Sequence, residues 1–315
     1  MDTVYKGLKK VSTVDMSRDE WLKHRRKSIG GSDAASVVGL NKYASPYSLW
    51  ADKRGLLPEK EDSEPMRLGR DLEDYVAKRF TEETGKKVRR ERNIIINPDM
   101  LFAHANVDRL IIGEDAGLEC KTTSALNTKR FKGGEYPTNY YVQCVHYMMV
   151  TGAARWYLAV LVLGVGFYWY CIERDEAEIE ALRAAESNFW EMVEANTPPP
   201  VDGLTATTEA VSAVLGASTP GETCDLTAVH KDLDLLFAKK AELATVKAEV
   251  DEIENRVKVY MDSSERGESD RFIVVYAEQS RRTFDTNRFA GDHPDIDLSD
   301  YYKVSTTRSF RAKIR

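Results

Sequence analysis

Cysteine is scarce: the chain has 4 in 315 residues, Cys120, Cys144, Cys171 and Cys224, and no CxxC pair. That spacing argues against a disulfide framework, a cysteine zinc site or an iron–sulfur cluster. A reducing compartment suits it. A continuous apolar run of membrane-spanning length is also missing. The segment that most resembles one, WYLAVLVLGVGFYWYCI from Trp156 to Ile172, carries no charge but is interrupted by Gly164 and Gly166 and rich in β-branched and aromatic residues. Two buried strands meeting at a turn explain it better than a span. The opening MDTVYKGLKKVS lacks the apolar core of a secretory signal, so export is not expected.

What is present is ample material for a core. The chain is 42% hydrophobic, 10% aromatic and 30% charged, which argues for a globular protein of one large or two smaller domains. The net charge of −6 points away from nucleic acid, but the charges are segregated. Basic side chains dominate residues 1–30, KKVRRER (86–92) and KVSTTRSFRAKIR (303–315), while acid collects between 173 and 196. For any single run, a solvated face is the alternative reading.

The clearest boundary is Pro198-Pro199-Pro200, followed by an Ala/Thr/Gly-rich stretch to about Glu222. We therefore divide the chain into 1–200, a linker-like 201–227, and 228–315. Upstream, Ser45-Pro46 starts a helix that Gly55 stops, and another runs from near Pro65 to Gly85. RNIIINP, LFAHANVDRLII and AGLECKTTS read as strands. A helix TNYYVQCVHYMMVTG, the Trp156–Ile172 hairpin and a helix from Asp175 to Asn196 follow. The fold class is α/β, a mixed central sheet flanked by helices. Downstream, Leu243, Val246, Val250, Ile253, Val257 and Tyr260 alternate spacings of three and four, the period of a coiled-coil seam on a long helix from Val229 to Asp262. The pattern leaves open whether another copy, the rest of this chain or a different protein covers that seam. RFIVVYAEQSRRTFDT and YYKVSTTRSFRAKI read as strands completing a C-terminal α+β extension.

The informative constellation is Asp108, ten residues, then Glu119-Cys120-Lys121. Glu119 and Lys121 lie two apart on a strand and share a face, and Asp108 can reach them from the neighbouring strand. Carboxylates that share a site repel unless a divalent cation lies between them, and hard oxygen ligands select Mg2+, with Mn2+ as a substitute. The Cys120 carbonyl adds a possible oxygen ligand. Such an ion activates water against a phosphodiester, and a lysine beside it can hold that water.

This D-x(10)-ExK pattern resembles the PD-(D/E)xK nuclease superfamily, with Val107 in place of the proline and Cys120 in place of a larger aliphatic. Leu68-Gly69-Arg70-Asp71-Leu72-Glu73 resembles a GxxxE helix, and Gln143-Cys-Val-His-Tyr147 a QxxxY motif. Together these are similar to the YqaJ-type viral recombinases, relatives of phage lambda exonuclease. The resemblance implies a restriction-endonuclease-like core. It extends to Trp21-Leu-Lys-His-Arg25 and Ile29-Gly-Gly-Ser32, whose arginine and serine bind a 5′-terminal phosphate in lambda-type enzymes. Arg25 and Ser32 take that role by matching. Arg26 competes with Arg25, and an ordinary helix cap is the alternative for Ser32. Glu73 is expected as a direct or water-mediated metal ligand, and Gln143 as orienting water or phosphate. Tyr147 is read as substrate-supporting or as core. His104 and His146 are read as structural.

The resemblance implies a magnesium-dependent exonuclease that degrades linear double-stranded DNA from the 5′ end and leaves a 3′ overhang for a single-strand annealing protein. It also implies a trimeric ring, and a phage or prophage gene product working in the bacterial cytoplasm. Two alternatives stand beside it: an endonuclease of the same superfamily, and a non-catalytic DNA-binding scaffold.

Overall fold

Local signals decide where the helices begin and end in the computed structural model, which describes residues 7–59, 62–293, 295–303 and 308–314. Ser17 and Glu20 close a capping box at the start of α1 (Arg18–Arg26). Ser45 and Ser48 do the same for α3 (Pro46–Lys53), with Pro46 in the first turn. Gly85 and Gly152, both left-handed, end α4 (Glu64–Thr84) and α5 (Thr138–Thr151). The remaining helices are α2 (Gly31–Val37), α6 (Glu176–Glu194), α7 (Thr205–Leu215), α8 (His230–Met261) and α9 (Thr286–Asp292).

The strands are β1 (Lys9–Ser12), β2 (Ile29–Gly30), β3 (Val88–Arg90), β4 (Asn93–Ile96), β5 (Ala103–His104), β6 (Arg109–Ile111), β7 (Ala116–Thr123), β8 (Arg155–Val162), β9 (Gly166–Glu173), β10 (Arg266–Glu268) and β11 (Ile273–Val275). Five of them form one mixed sheet in the order β3-β6-β7-β8-β9. Only β7 and β8 run parallel, joined by the crossover through α5. Its two faces are covered differently. Leu118, Tyr157 and Ala159 pack under Val76, Ala77 and Phe80 of α4, and Leu158, Val160 and Trp156 pack under α5. The sheet is thus a buried middle layer, as a parallel β-α-β unit requires. At Gly117 the backbone passes directly over the Trp156 ring: a Cβ there would lie 2.2 Å from the indole, so only glycine fits.

The chain divides into two compact units, Met1–Gly216 and Ala217–Arg315. This corrects the linker-like reading of 201–227, because 205–215 is a helix whose Thr207 and Ala210 are buried and whose Thr207 hydroxyl bonds Ser45. A polar, small-residue composition resembles a linker but also suits a short helix with one packed face. In the second unit α8 is a 32-residue helix, with β10 and β11 a small antiparallel hairpin. The long strand read in LFAHANVDRLII is two short ones, β5 and β6, and β4 pairs with β1 outside the main sheet. Of the two tail strands, only Ile273–Val275 forms, and no strand is found among the described residues of 301–314; residues 304–307 lie outside them.

Candidate active site

Strand alternation builds the site. On β7, Glu119 and Lys121 point toward α5, while Cys120 packs with the apolar cluster under α4. Asp108 stands just before β6, next to the residue paired with Leu118, and its Oδ2 accepts the Cys120 backbone N–H at 2.8 Å. The acid pair and the lysine therefore converge. Lys121 Nζ lies 2.6 Å from Glu119 Oε1, and Gln143 Nε2 donates to the same oxygen at 2.7 Å. Glu119 Oε2 is buried and has no hydrogen-bond partner among the described residues.

The charges at this point are unbalanced. Burial, then Glu119 and Glu73, push the Asp108 carboxyl well above the usual carboxylate range. Burial alone would lower the Lys121 ammonium, but Glu119 and Asp108 outweigh it and hold it above the ordinary lysine value. Cys120 is pushed up by burial and by the same two carboxylates, so its thiol stays protonated. A buried carboxylate oxygen without a donor, beside a second crowded carboxyl, is the donor set a hard divalent cation would relieve. Asp108, Glu119 and the Cys120 carbonyl fit such an ion, which would complete its shell with water and phosphate oxygens. Among the described residues no three His, Cys, Asp or Glu side chains form a closed metal cluster.

Glu73 is held differently from the expectation. It approaches closely enough to act on Asp108, but its carboxylate bonds Arg109 and lies 3.3 Å from Arg90. It anchors an ion-pair lattice, with Asp74 2.8 Å from Arg90, at the edge of the acid pair. Gln143 points at Glu119 rather than outward and also donates to Tyr147 Oη at 2.8 Å. Tyr147 in turn donates to the Asn106 carbonyl at 2.9 Å and is buried, so it supports Gln143 from beneath.

The phosphate-binding candidates lie on a second constellation. Arg25 Nη2 donates to Ser32 Oγ at 3.2 Å and to Asp33 Oδ1 at 2.8 Å, with its guanidinium 5.1 Å from the Trp21 ring centroid. Arg26 turns away, 4.0 Å from Glu59, so the geometry favours Arg25 over its neighbour. Two residues that sequence reasoning passed over fix this group. Asp33 caps the Gly30 N–H and accepts from Lys53 Nζ at 2.6 Å, and Lys53 also reaches the carbonyls of Arg25 and Ser28. Burial would raise the Asp33 carboxyl, but Lys53 and Arg25 hold it well below the usual range. The sequence signal is weak: Asp33 stands in the Ile29–Ala35 block with no role that the resemblance assigns it, and Lys53 looks like any basic residue ending a helix.

A cleft of about 400 Å³ opens beside Asp108, lined by Trp21, Glu73, Arg90, Arg92, Asn93 and Asn106 among others. Part of the basic run 86–92 thus reaches the site. The glycines of Ile29–Ser32 have a steric purpose, since a Cβ on Gly31 would stand 2.5 Å from the Tyr147 ring. Behind them, His146 bonds Glu186 at 2.7 Å and the His104 carbonyl at 2.9 Å, and His104 bonds Ser28 at 2.8 Å. Both histidines are buried.

An acid pair and lysine on a mixed sheet, with an arginine–serine pair on the preceding helices, define a restriction-endonuclease-like fold. Residues 20–154 match the profile of the YqaJ-like viral recombinase domain. The chain is 39% identical over 302 residues to the protein YqaJ of Bacillus subtilis (strain 168), covering 94% of this chain and 93% of that one. The chain belongs to the YqaJ family. Its architecture is similar to that of the alkaline exonuclease LHK-Exo of Laribacter hongkongensis, with a TM-score of 0.50 and 24% identity over 57% of this chain and 94% of that one. No described helix is long and apolar enough to cross a membrane.

Proposed function

We propose that this protein is a divalent-metal-dependent deoxyribonuclease that degrades linear double-stranded DNA from its 5′ ends, leaving 3′ single strands for an annealing partner. The observation that carries the reading is the convergence of Asp108, Glu119 and Lys121, with one Glu119 oxygen buried and without a donor. Asp108, Glu119 and the Cys120 carbonyl would hold Mg2+ or Mn2+, and the bound ion would supply Lewis-acid activation of water and charge neutralisation at phosphate. Lys121 holds the attacking water or the scissile phosphate at the rim. Gln143 fixes the Glu119 carboxylate so that its second oxygen stays turned to the site. Arg25 and Ser32 together offer a guanidinium fork and a hydroxyl at the start of α2, suited to a terminal phosphate.

The 5′ polarity rests on that pair and on the family resemblance. A time course with 5′-labelled and 3′-labelled linear duplex in Mg2+ tests it. Release of the 5′ label first, faster with a 5′ phosphate than a 5′ hydroxyl, is expected, with covalently closed circles spared. Cutting of closed circles would make the enzyme an endonuclease. Undiminished DNA loss with folded Lys121→Ala would remove the proposed site.

A further inference from the structure

The face of α8 that carries the three-and-four apolar spacing has no partner among the described residues of its own unit. Leu243, Val246, Val250 and Ile253 are 68%, 54%, 47% and 52% exposed. The β10–β11 hairpin lies off this seam, touching Lys258 through Tyr276 and covering Met261 near Gly267. We propose that α8 pairs with α8 of a second copy of this chain as an antiparallel two-helix coil centred between residues 251 and 252. The inference does not rest on the nuclease reading.

The flanking charges select this arrangement. With that centre, Val250 meets Ile253 of the second copy, Leu243 meets Tyr260 and Val246 meets Val257. Beside the seam, Lys247 then faces Glu254 of the second copy and Glu249 faces Arg256, each twice by symmetry. All of these contacts are attractive. Sliding one heptad in one direction keeps as many attractive pairs, Lys240 with Glu254 and Glu242 with Arg256, but adds the repulsions of Lys247 on Lys247 and Glu249 on Glu249. Sliding it in the other sets Glu254 on Glu254 and Arg256 on Arg256. A parallel, in-register pair gains Glu242 with Lys247 but puts Glu249 against Glu254, so attraction and repulsion cancel. Apolar registers one heptad apart are otherwise nearly equivalent, and repulsion in the wrong ones is how such helices specify a single alignment.

Light scattering and sedimentation of the full-length chain test the proposal, with circular dichroism confirming unchanged helix content. Wild type is expected to self-associate reversibly through α8. Glu249→Lys should weaken that association about tenfold, because two attractive contacts become repulsive. Adding Arg256→Glu to the same chain should restore it, since the reversed pairs attract again. A parallel coil predicts the opposite for Glu249→Lys alone, which would relieve its clash with Glu254. A single-copy mass for wild type, a trimer unmoved by Glu249→Lys, or tighter association in that variant would each overturn the proposal.

Discussion

At Glu119 one carboxylate oxygen is doubly bonded while the other is left bare, and that asymmetry is set by Gln143. Replacing Gln143 with Leu removes the amide and frees the carboxylate to turn. The expected result is a fall in kcat of about tenfold to a hundredfold, on the scale of lost supporting contacts to a metal site, with folding retained. Titration with Mn2+ should show weakened binding in the same variant, which a purely structural defect far from the acids would not give. His104 offers a test by pH. Burial, then Lys53, lowers it to about 3, so the folded state keeps it neutral where the unfolded chain is protonated. Stability from this group is complete above the ordinary histidine pKa and is lost as pH falls toward the folded value. His104→Gln should remove up to about 1.4 kcal/mol per pH unit of slope between pH 4 and 6, read from urea melts.

At the scale of elements, most of the site was legible because its chemistry is carried by period-two alternation on β7 and by a short turn to Asp108. What was not legible is the direction each side chain takes once neighbours crowd it. Glu73 lies on the expected helix, but Arg109 and Arg90 claim its carboxylate, and no spacing rule announces an ion pair between residues 36 apart. Tyr147 reads equally as core or contact, and in the structure its ring packs against Gly31, beside Ser32. The strand LFAHANVDRLII is interrupted where the His104 and Asn106 carbonyls accept from His146 and Tyr147 of α5. Lys53 was invisible because a buried lysine is defined by its partners. Lys53→Met should leave Asp33 buried beside a single cation, costing about 3 kcal/mol in denaturant unfolding, as for other broken buried pairs. It should also lower the preference for a 5′ phosphate over a 5′ hydroxyl, because Asp33 and Lys53 hold Arg25 in place. Gly31→Ala should destabilise by about 1–3 kcal/mol through overpacking against Tyr147, measured as a lower Tm.

Across the whole molecule, the first unit contains the mixed sheet, both of its covering layers and α7, and its core clusters draw on no residue beyond Gly216. A chain ending at Gly216 should therefore unfold in one cooperative transition and keep hydrolysing linear duplex, measured by melting and by the label-release assay. The same layout bears on synthesis. Every candidate side chain lies between Arg25 and Tyr147, yet β7 is laid against β8, which begins only at Arg155. A nascent polypeptide that has left the ribosome as far as Thr151 carries the full chemical complement without the strand that aligns it. The side chains of the proposed site are thus brought into line only once the sequence beyond Arg155 has emerged.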